Sequence, residues 1–275
     1  MKKYILAIDQ GTTSSRVVLY DSKFKIKSIE QKEFKQYFPN DGWVEHDAQE
    51  IWRDVEHLIR QTIKKNKLKP SQIISMGITN QRETTVLWNK KTGKPIYKAI
   101  VWQDRRTADY CDQLKLKKKD KIIQKITGLV LDPYFSATKI RWILNKTSKN
   151  STDQNTNILF GTIDTWLLWK LTEGKSHYTD ITNASRTMIY DSKKEEWSKE
   201  LLKLFNINKS LLPEVKENAF NFGSTKLFGG NIVIGGMAGD QQAATIGQAC
   251  FNAGQSKSTY GTGCFLLMNI GSKFK

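Results

Sequence analysis

The sequence predicts an α/β protein, and three observations lead to that class. Short aliphatic and β-branched runs, such as residues 4–9, 73–79 and 231–236, alternate along the chain with stretches of helical spacing. Strands and helices interleave throughout, and no tandem repeat of fixed period appears. The 275 residues are 39% hydrophobic and 11% aromatic, which is enough to bury a sizeable core in one large domain or two modest ones.

The N-terminal half begins with two predicted strands, residues 4–9 and 16–21, joined as a hairpin and followed by extended sequence over 24–35. Asp47 is the expected N-cap of a helix whose apolar residues recur at helical spacing. The further predictions are strands at 73–79, 85–88 and 95–102, the last two joined by a turn, and helices at 107–116, 136–145 and 162–170.

The C-terminal half contains a polar loop at 147–157 and a β-branched strand at 231–236 that leads into a glycine-rich turn. A helix is expected to begin at Asp240. Residues 256–260 and 265–269 flank Gly261-Thr262-Gly263 and predict a second hairpin.

Charge and composition exclude several classes of protein. Lys and Arg total 44 against 27 Asp and Glu, a net charge of +17, but the lysines are scattered and no nucleic-acid motif accompanies them. We therefore expect a lysine-rich solvated surface and no nucleic-acid partner. No run of eighteen apolar residues occurs, and the apolar N-terminal run is too short for a signal peptide, so no membrane partner is expected. Three widely spaced cysteines indicate reduced thiols in a cytoplasmic protein.

The tip of the first hairpin reads D-Q-G-T-T-S-S and points to anion binding. Backbone amides and hydroxyls in such a turn can converge on phosphate oxygens. Asp9 is placed to hold Mg²⁺ through water, because this ion needs only one or two carboxylates plus phosphate oxygens, and Arg16 would neutralise charge at the rim. A bare turn of this kind also fits an ordinary polar β-turn with a structural aspartate. No P-loop motif is present.

The second hairpin has the same arrangement as the first, since Thr262 lies in a turn of small residues between two strands. Two such tips facing each other could clamp a polyphosphate, and this duplication favours phosphate binding over a stray turn. Asp240 follows a strand at the start of a helix, where it could act as a base toward an alcohol. A simple N-cap explains Asp240 equally well.

Arg82 and Glu83 follow a strand and could together bind vicinal hydroxyls of a small polyol. Trp102, Tyr134 and Phe265 would supply an apolar wall against the carbon backbone. For isolated residues, a surface ion pair and core aromatics explain the same pattern. Trp43 and His46 are also ambiguous, and we expect both to be packing residues.

Nine motifs follow one another along the chain in the order found in one enzyme family: D-Q-G-T-T-S-S, G-W-V-E-H-D, T-N-Q-R-E-T, V-W-Q-D-R-R-T, T-G-L-V-L-D-P-Y-F-S, F-G-T-I-D-T-W-L, T-N-A-S-R-T, A-G-D-Q-Q-A-A and T-Y-G-T-G-C-F. In these motifs the chain resembles the FGGY carbohydrate kinases, specifically their glycerol kinase branch. The resemblance implies an actin-like fold of two RNase H-like domains. It also implies ATP and Mg²⁺ as cofactors, glycerol as substrate, and possible homo-oligomers of the full-length form.

The resemblance implies the following residue roles. Arg82, Glu83, Tyr134 and Asp240 would hydrogen-bond glycerol, with Asp240 also the catalytic base. Further glycerol contacts are Gln241, Trp102 and Phe265; nucleotide and phosphate contacts are Thr12, Thr13, Ser14, Arg16 and Thr262; and Asp9 is the magnesium-side carboxylate.

Two departures from the family pattern qualify these roles. Residues 1–250 match the first domain and 251–275 only the opening of the second, so we expect a truncated second domain with residues 265–268 exposed or mispacked, and doubtful kinase activity. Residues 223–231 lack the pattern that some members use for an allosteric sugar bisphosphate. The alternatives are another FGGY sugar or polyol kinase, and a non-catalytic remnant.

Overall fold

The computed structural model describes residues 2–148 and 157–272 and confirms the α/β class. The strands are β1 Tyr4–Gln10, β2 Ser14–Asp21, β3 Ile26–Glu33, β4 Glu45–His46, β5 Ile73–Asn80, β6 Val86–Asn89, β7 Ala99–Ile100, β8 Ile158–Gly161, β9 Tyr178–Asp180, β10 Tyr190–Asp191, β11 Glu196–Trp197, β12 Glu214–Lys216, β13 Ser224–Thr225, β14 Ile232–Gly239, β15 Ser256–Tyr260 and β16 Cys264–Met268. The helices are α1 Ala48–Lys65, α2 Ala108–Leu116, α3 Asp120–Thr127, α4 Ser136–Ser148, α5 Ile163–Leu171, α6 Ile181–Ala184, α7 Lys199–Phe205 and α8 Asp240–Gly247.

A six-stranded sheet in the order β13-β14-β5-β1-β2-β3 forms the centre of the molecule. β1, β2 and β3 make an antiparallel meander, whereas β5 and β14 run parallel to β1. Gln10, Asn80 and Gly239 end the three parallel strands in register with one another. The chain therefore leaves β1, β5 and β14 at the same edge of the sheet, where ligands bind in open α/β folds.

Two apolar cores support this edge. The first joins the sheet to α1 and α5 and includes Ile8, Ile51 and Trp166, each without exposed surface. The second lies among α2, α3, α4 and α7 and includes Ile140 and Phe205. Asp47 caps α1 as predicted, because its carboxylate accepts the amide hydrogens of the first turn.

The predicted helices and most of the predicted strands are confirmed within a few residues at each end. The strand predicted at 95–102 is wrong as a continuous element, since only β7 forms there and pairs with β4. β6 instead pairs with β8, while the 95–102 segment contributes isolated bridges such as Trp88 with Pro95. The glycine-rich turn expected after residue 236 is also wrong. Parallel pairing with β5 carries β14 on to Gly239.

The second hairpin forms as predicted from β15 and β16, with a sheet of its own. Leu266 and Met268 are 70% and 57% exposed, which confirms the exposure expected of them, whereas Phe265 and Leu267 are half-buried. Thr147, at the start of the predicted polar loop, belongs to α4, and residues 149–156 of that loop lie outside the described residues. The predicted domain boundary at residue 250 stays a prediction.

Candidate active site

The turn after β1 is short because the Gly11 amide donates to the carbonyl of Ser14 at 2.9 Å. The Trp102 indole donates to the Thr12 hydroxyl at 2.9 Å and ties this tip to the aromatic wall. The turn contains fewer residues than the sequence suggests, because Ser14 already belongs to β2. The Ser14 hydroxyl accepts a hydrogen bond from Gln31. Thr12 faces the cleft, and Thr13 is exposed.

The two hairpins and the three strand ends enclose a cleft of about 330 Å³. It brings together most of the site residues predicted from sequence, although Asp9, Thr13 and Ser14 lie outside its lining. The lining residues are Gly11, Thr12, Arg16, Arg82, Glu83, Trp102, Tyr134, Asp240, Gln241, Thr259, Gly261, Thr262, Gly263 and Phe265.

Asp240 occupies the first helical position of α8 and projects a carboxylate into the cleft. Gly239 is the N-cap, so the simple N-cap explanation of Asp240 is wrong. Asp240 Oδ1 lies 3.1 Å from Arg82 Nε and accepts the Gln241 amide hydrogen at 2.7 Å. Gly239 permits this approach, because a Cβ there would lie 2.6 Å from Arg82 Cδ. The strand end therefore supplies an acceptor beside a fixed cation.

Arg82 and Glu83 do not form a surface ion pair, because both side chains are buried and each has another partner. Glu83 Oε1 accepts from Arg186 Nε at 2.6 Å, while Arg82 turns to Asp240. Glu83 has a φ of 61°, a left-handed conformation that is unfavourable for a non-glycine residue. Ser136 stabilises this turn by donating its hydroxyl to the Glu83 carbonyl at 3.1 Å. The loop thus aims two opposite charges into one cleft.

Three aromatic rings form the wall predicted for a polyol backbone. Trp102 contacts Tyr134 edge-on at 5.6 Å between ring centroids and Phe265 at 5.8 Å. The Arg82 guanidinium lies 5.9 Å from the Phe265 centroid. Burial, and then the charge of Glu83, raise the pKa of Tyr134 to about 12, so its hydroxyl remains a hydrogen-bond donor at neutral pH. Trp43 and His46 pack elsewhere, as expected.

Asp9 lies at the end of β1, 3.4 Å from Arg16 NH1. Burial is the main cause that raises the pKa of Asp9; Arg16 lowers it, and the nearby charge of Asp240 raises it again. Asp9 and Asp240, two carboxylates near enough to repel each other, suit a hydrated Mg²⁺, which needs few protein ligands. Among the described residues no group of three or more acidic, histidine or cysteine side chains could form a metal cage. The carboxylates of Asp9 and Asp240 fit an ion held through water.

Sequence reasoning missed three charged residues around the cleft. Arg186 pairs with Glu83, Lys139 is fully buried behind the site, and Lys257 donates to Gln241 Oε1 and to Thr259. Arg186 lies within the motif T-N-A-S-R-T, which was its only sequence signal. Lys257 lies outside the motifs, two residues before T-Y-G-T-G-C-F.

Two buried carboxylates behind the strand ends were also missed. Asp180 accepts from Thr182 and Asn218, and the Thr182 hydroxyl accepts the Gly239 amide hydrogen at 2.8 Å. Asp164 accepts from Thr179 at 2.7 Å, and burial raises its pKa to about 6, with Asp180 adding a like charge. This network anchors the residue that precedes Asp240.

A mixed sheet with parallel strand ends at one edge, and two threonine-bearing hairpins across a cleft, define an α/β protein of the actin-like ATPase fold. The model of the FGGY family of carbohydrate kinases, N-terminal domain, matches residues 4–247, and the chain belongs to this family. No helix among the described residues is both long and apolar enough to cross a bilayer.

The chain is similar to glycerol kinases from Clostridium botulinum, at 55% identity over 276 residues, and from Bacillus cereus, at 53% over 277. It covers 55% and 56% of those proteins, and each match covers 99% of this chain. A glycerol kinase of Plasmodium falciparum, solved with ADP, is 41% identical with a TM-score of 0.92 over 99% of this chain and 55% of its own. A gluconate kinase from Lactobacillus acidophilus, 23% identical with a TM-score of 0.86 over 97% and 54% of the two chains, shares the fold. The chain thus spans about half the length of the curated relatives it matches.

Proposed function

We propose that this chain carries the polyol site and both phosphate hairpins of a glycerol kinase, which transfers a phosphoryl group from ATP to glycerol and yields sn-glycerol 3-phosphate in the cytoplasm. The observation that carries the proposal is the convergence of Arg82, Glu83, Trp102, Tyr134 and Asp240 on one cleft beside Thr12 and Thr262. Charged groups suited to vicinal hydroxyls lie against an aromatic wall, next to two turns suited to phosphate.

In the proposed reaction a terminal hydroxyl oxygen of glycerol attacks the γ-phosphorus of ATP. Its proton passes to the Asp240 carboxylate as the new P–O bond forms. The bond between the γ-phosphorus and the bridging oxygen breaks, and ADP leaves with the electron pair. Arg82, 3.1 Å from Asp240, fixes the carboxylate, and Glu83 and Tyr134 orient the remaining hydroxyls. Asp9 would hold Mg²⁺ through water, and the ion would neutralise phosphate charge when bound.

A second candidate is a chain that binds polyol without turnover. One observation favours it: Leu266 and Met268, on the hairpin that carries the second phosphate turn, are exposed and not packed against a core. Positioning both phosphate turns is essential for phosphoryl transfer, because catalysis depends on alignment and charge stabilisation.

Calorimetric titration with glycerol, followed by a coupled assay for ATP-dependent glycerol 3-phosphate formation, separates the candidates. Turnover that Asp240→Asn abolishes supports the kinase. Glycerol binding without turnover supports the second candidate. Asp112→Asn, at an exposed carboxylate on α2, is the matched control and should change neither measurement. A folded chain with neither binding nor turnover would overturn both.

A further inference from the structure

Lys139 is a fully buried cation directly behind the polyol part of the cleft. Burying an ammonium group is unfavourable unless charges and hydrogen bonds compensate for the lost water. Burial lowers the pKa of Lys139 to about 8, and attraction from Glu83, Asp104 and Asp132 acts against this shift. A helix that only needed packing at this position would be more stable with an apolar residue. The charge therefore requires a different explanation.

The hydrogen bond of Lys139 indicates what it does. Its Nζ donates to the backbone carbonyl of Tyr134, five residues earlier in the chain. The backbone N–H of Tyr134 donates to Asp132 Oδ1 at 2.9 Å. Both polar backbone groups of Tyr134 are thus held by side chains just before α4 begins.

This arrangement bears directly on the cleft. The Tyr134 ring contacts Trp102 edge-on, and the Arg186 guanidinium, paired with Glu83, lies 5.6 Å from the Tyr134 centroid. A shift of the Tyr134 backbone would move the ring relative to both partners. Lys139 itself has no exposed surface from which to touch a ligand.

We propose that Lys139 is a positioning residue for the polyol site, holding Tyr134 through its backbone carbonyl. The role in polyol binding rests on the proposed function. The hold on Tyr134 does not.

The first test follows the Tyr134 ring directly, without any ligand. The chain is labelled with 3-fluorotyrosine, and the ¹⁹F signal of Tyr134 is assigned by its loss in Tyr134→Phe. Lys139→Met removes the donor and the charge at similar length, and should shift and broaden this signal. Lys146→Met, at an exposed lysine of the same helix, should leave it unchanged. If Lys139→Met does not fold, Lys139→Gln replaces it in this test. Because glutamine keeps a hydrogen-bond donor, this variant should shift the Tyr134 signal less. An unchanged Tyr134 signal in a folded Lys139 variant overturns the proposal.

The second test measures glycerol affinity in a double-mutant cycle. Lys139→Met should raise the glycerol Kd about tenfold in the wild-type background, as expected for a misplaced hydrogen-bonding group, and less than about twofold in a Tyr134→Phe background. Equal losses in both backgrounds would show that Lys139 acts independently of Tyr134 and overturn the proposal. If the unmodified chain binds no glycerol, the proposed function fails, and the ¹⁹F signal still decides the role of Lys139.

Discussion

Glu83 and Arg186, 103 positions apart in the sequence, form an ion pair with 2.6 Å between Oε1 and Nε. The Glu83 side chain is 1% exposed, so little water could compensate for the loss of this partner. The pair joins the loop after β5 to the segment after α6, and it leaves Arg82 free to approach Asp240.

Arg186→Met should therefore lower the free energy of unfolding by about 2 kcal/mol, because it leaves a buried carboxylate without its charged donor. Urea unfolding measures the change. Arg105→Met is the control: Arg105 pairs with Asp132 at 3.0 Å but is 56% exposed, so its loss should cost less than about 1 kcal/mol. Equal losses in the two variants would contradict the importance of burial.

Asp164 should make stability depend on pH through its raised pKa. A carboxyl with a pKa of about 6 in the folded chain and 3.8 as its ordinary value binds a proton that the unfolded chain does not bind between those pH values. Stability attributable to this group is present at low pH and declines as the pH rises through 4–6. Relative to Asp164→Asn, the wild type should lose roughly 1–2 kcal/mol between pH 4.5 and 7.5. A constant difference between the two proteins would refute this assignment.

His46 should have the opposite effect. Burial lowers the pKa of His46 from 6.5 to about 3. Between these pH values the unfolded chain binds a proton at this residue and the folded chain does not. Its contribution is complete above pH 6.5 and is lost as the pH falls. Between pH 6 and 4.5, His46→Gln should reduce the loss of stability by up to about 1.4 kcal/mol per pH unit. His57→Gln, at an exposed histidine on α1, should leave the slope unchanged.

Gly161 ends β8 where a side chain has no room. A Cβ there would lie 2.5 Å from Thr165 Cβ and 3.1 Å from the Trp88 ring. Gly161→Ala should destabilise the fold by about 1–3 kcal/mol through overpacking. At Gly247, the last residue of α8, an added Cβ would have no atom within 4 Å. Gly247→Ala should therefore be neutral or slightly stabilising. Thermal unfolding of the two variants compares the same chemical change at a crowded and an open site.

The second hairpin presents Tyr260, Leu266 and Met268 on one exposed face, as its register requires. Such a face favours self-association. Leu266→Lys should lower the self-associated fraction in sedimentation velocity without changing the midpoint of thermal unfolding. Leu116→Lys, at an isolated residue that is 85% exposed, should change neither. Unaltered association in Leu266→Lys would exclude this face as its cause.

Local signals in the sequence determined much of the fold. Asp47 marked the start of α1 and apolar periodicity marked the helices, because capping and amphipathic spacing act within a few residues. The strand at 95–102 was predicted wrongly for a related reason. Its partners are β4 and two residues at β6, Thr85 and Trp88, and long-range packing that a local pattern does not encode selects them.

The sequence by itself also determined which residues to expect in the cleft, and most of them line it. The roles in hydroxyl and phosphate binding that their types and motif order indicate stay predictions. Only the tertiary structure decided how their charges are paired. Arg82 and Glu83 are adjacent in the chain, yet one turns to Asp240 and the other to Arg186. The physical reason is that parallel strands bring distant strand ends to one edge, where burial forces each charge to find a partner that sequence proximity does not specify.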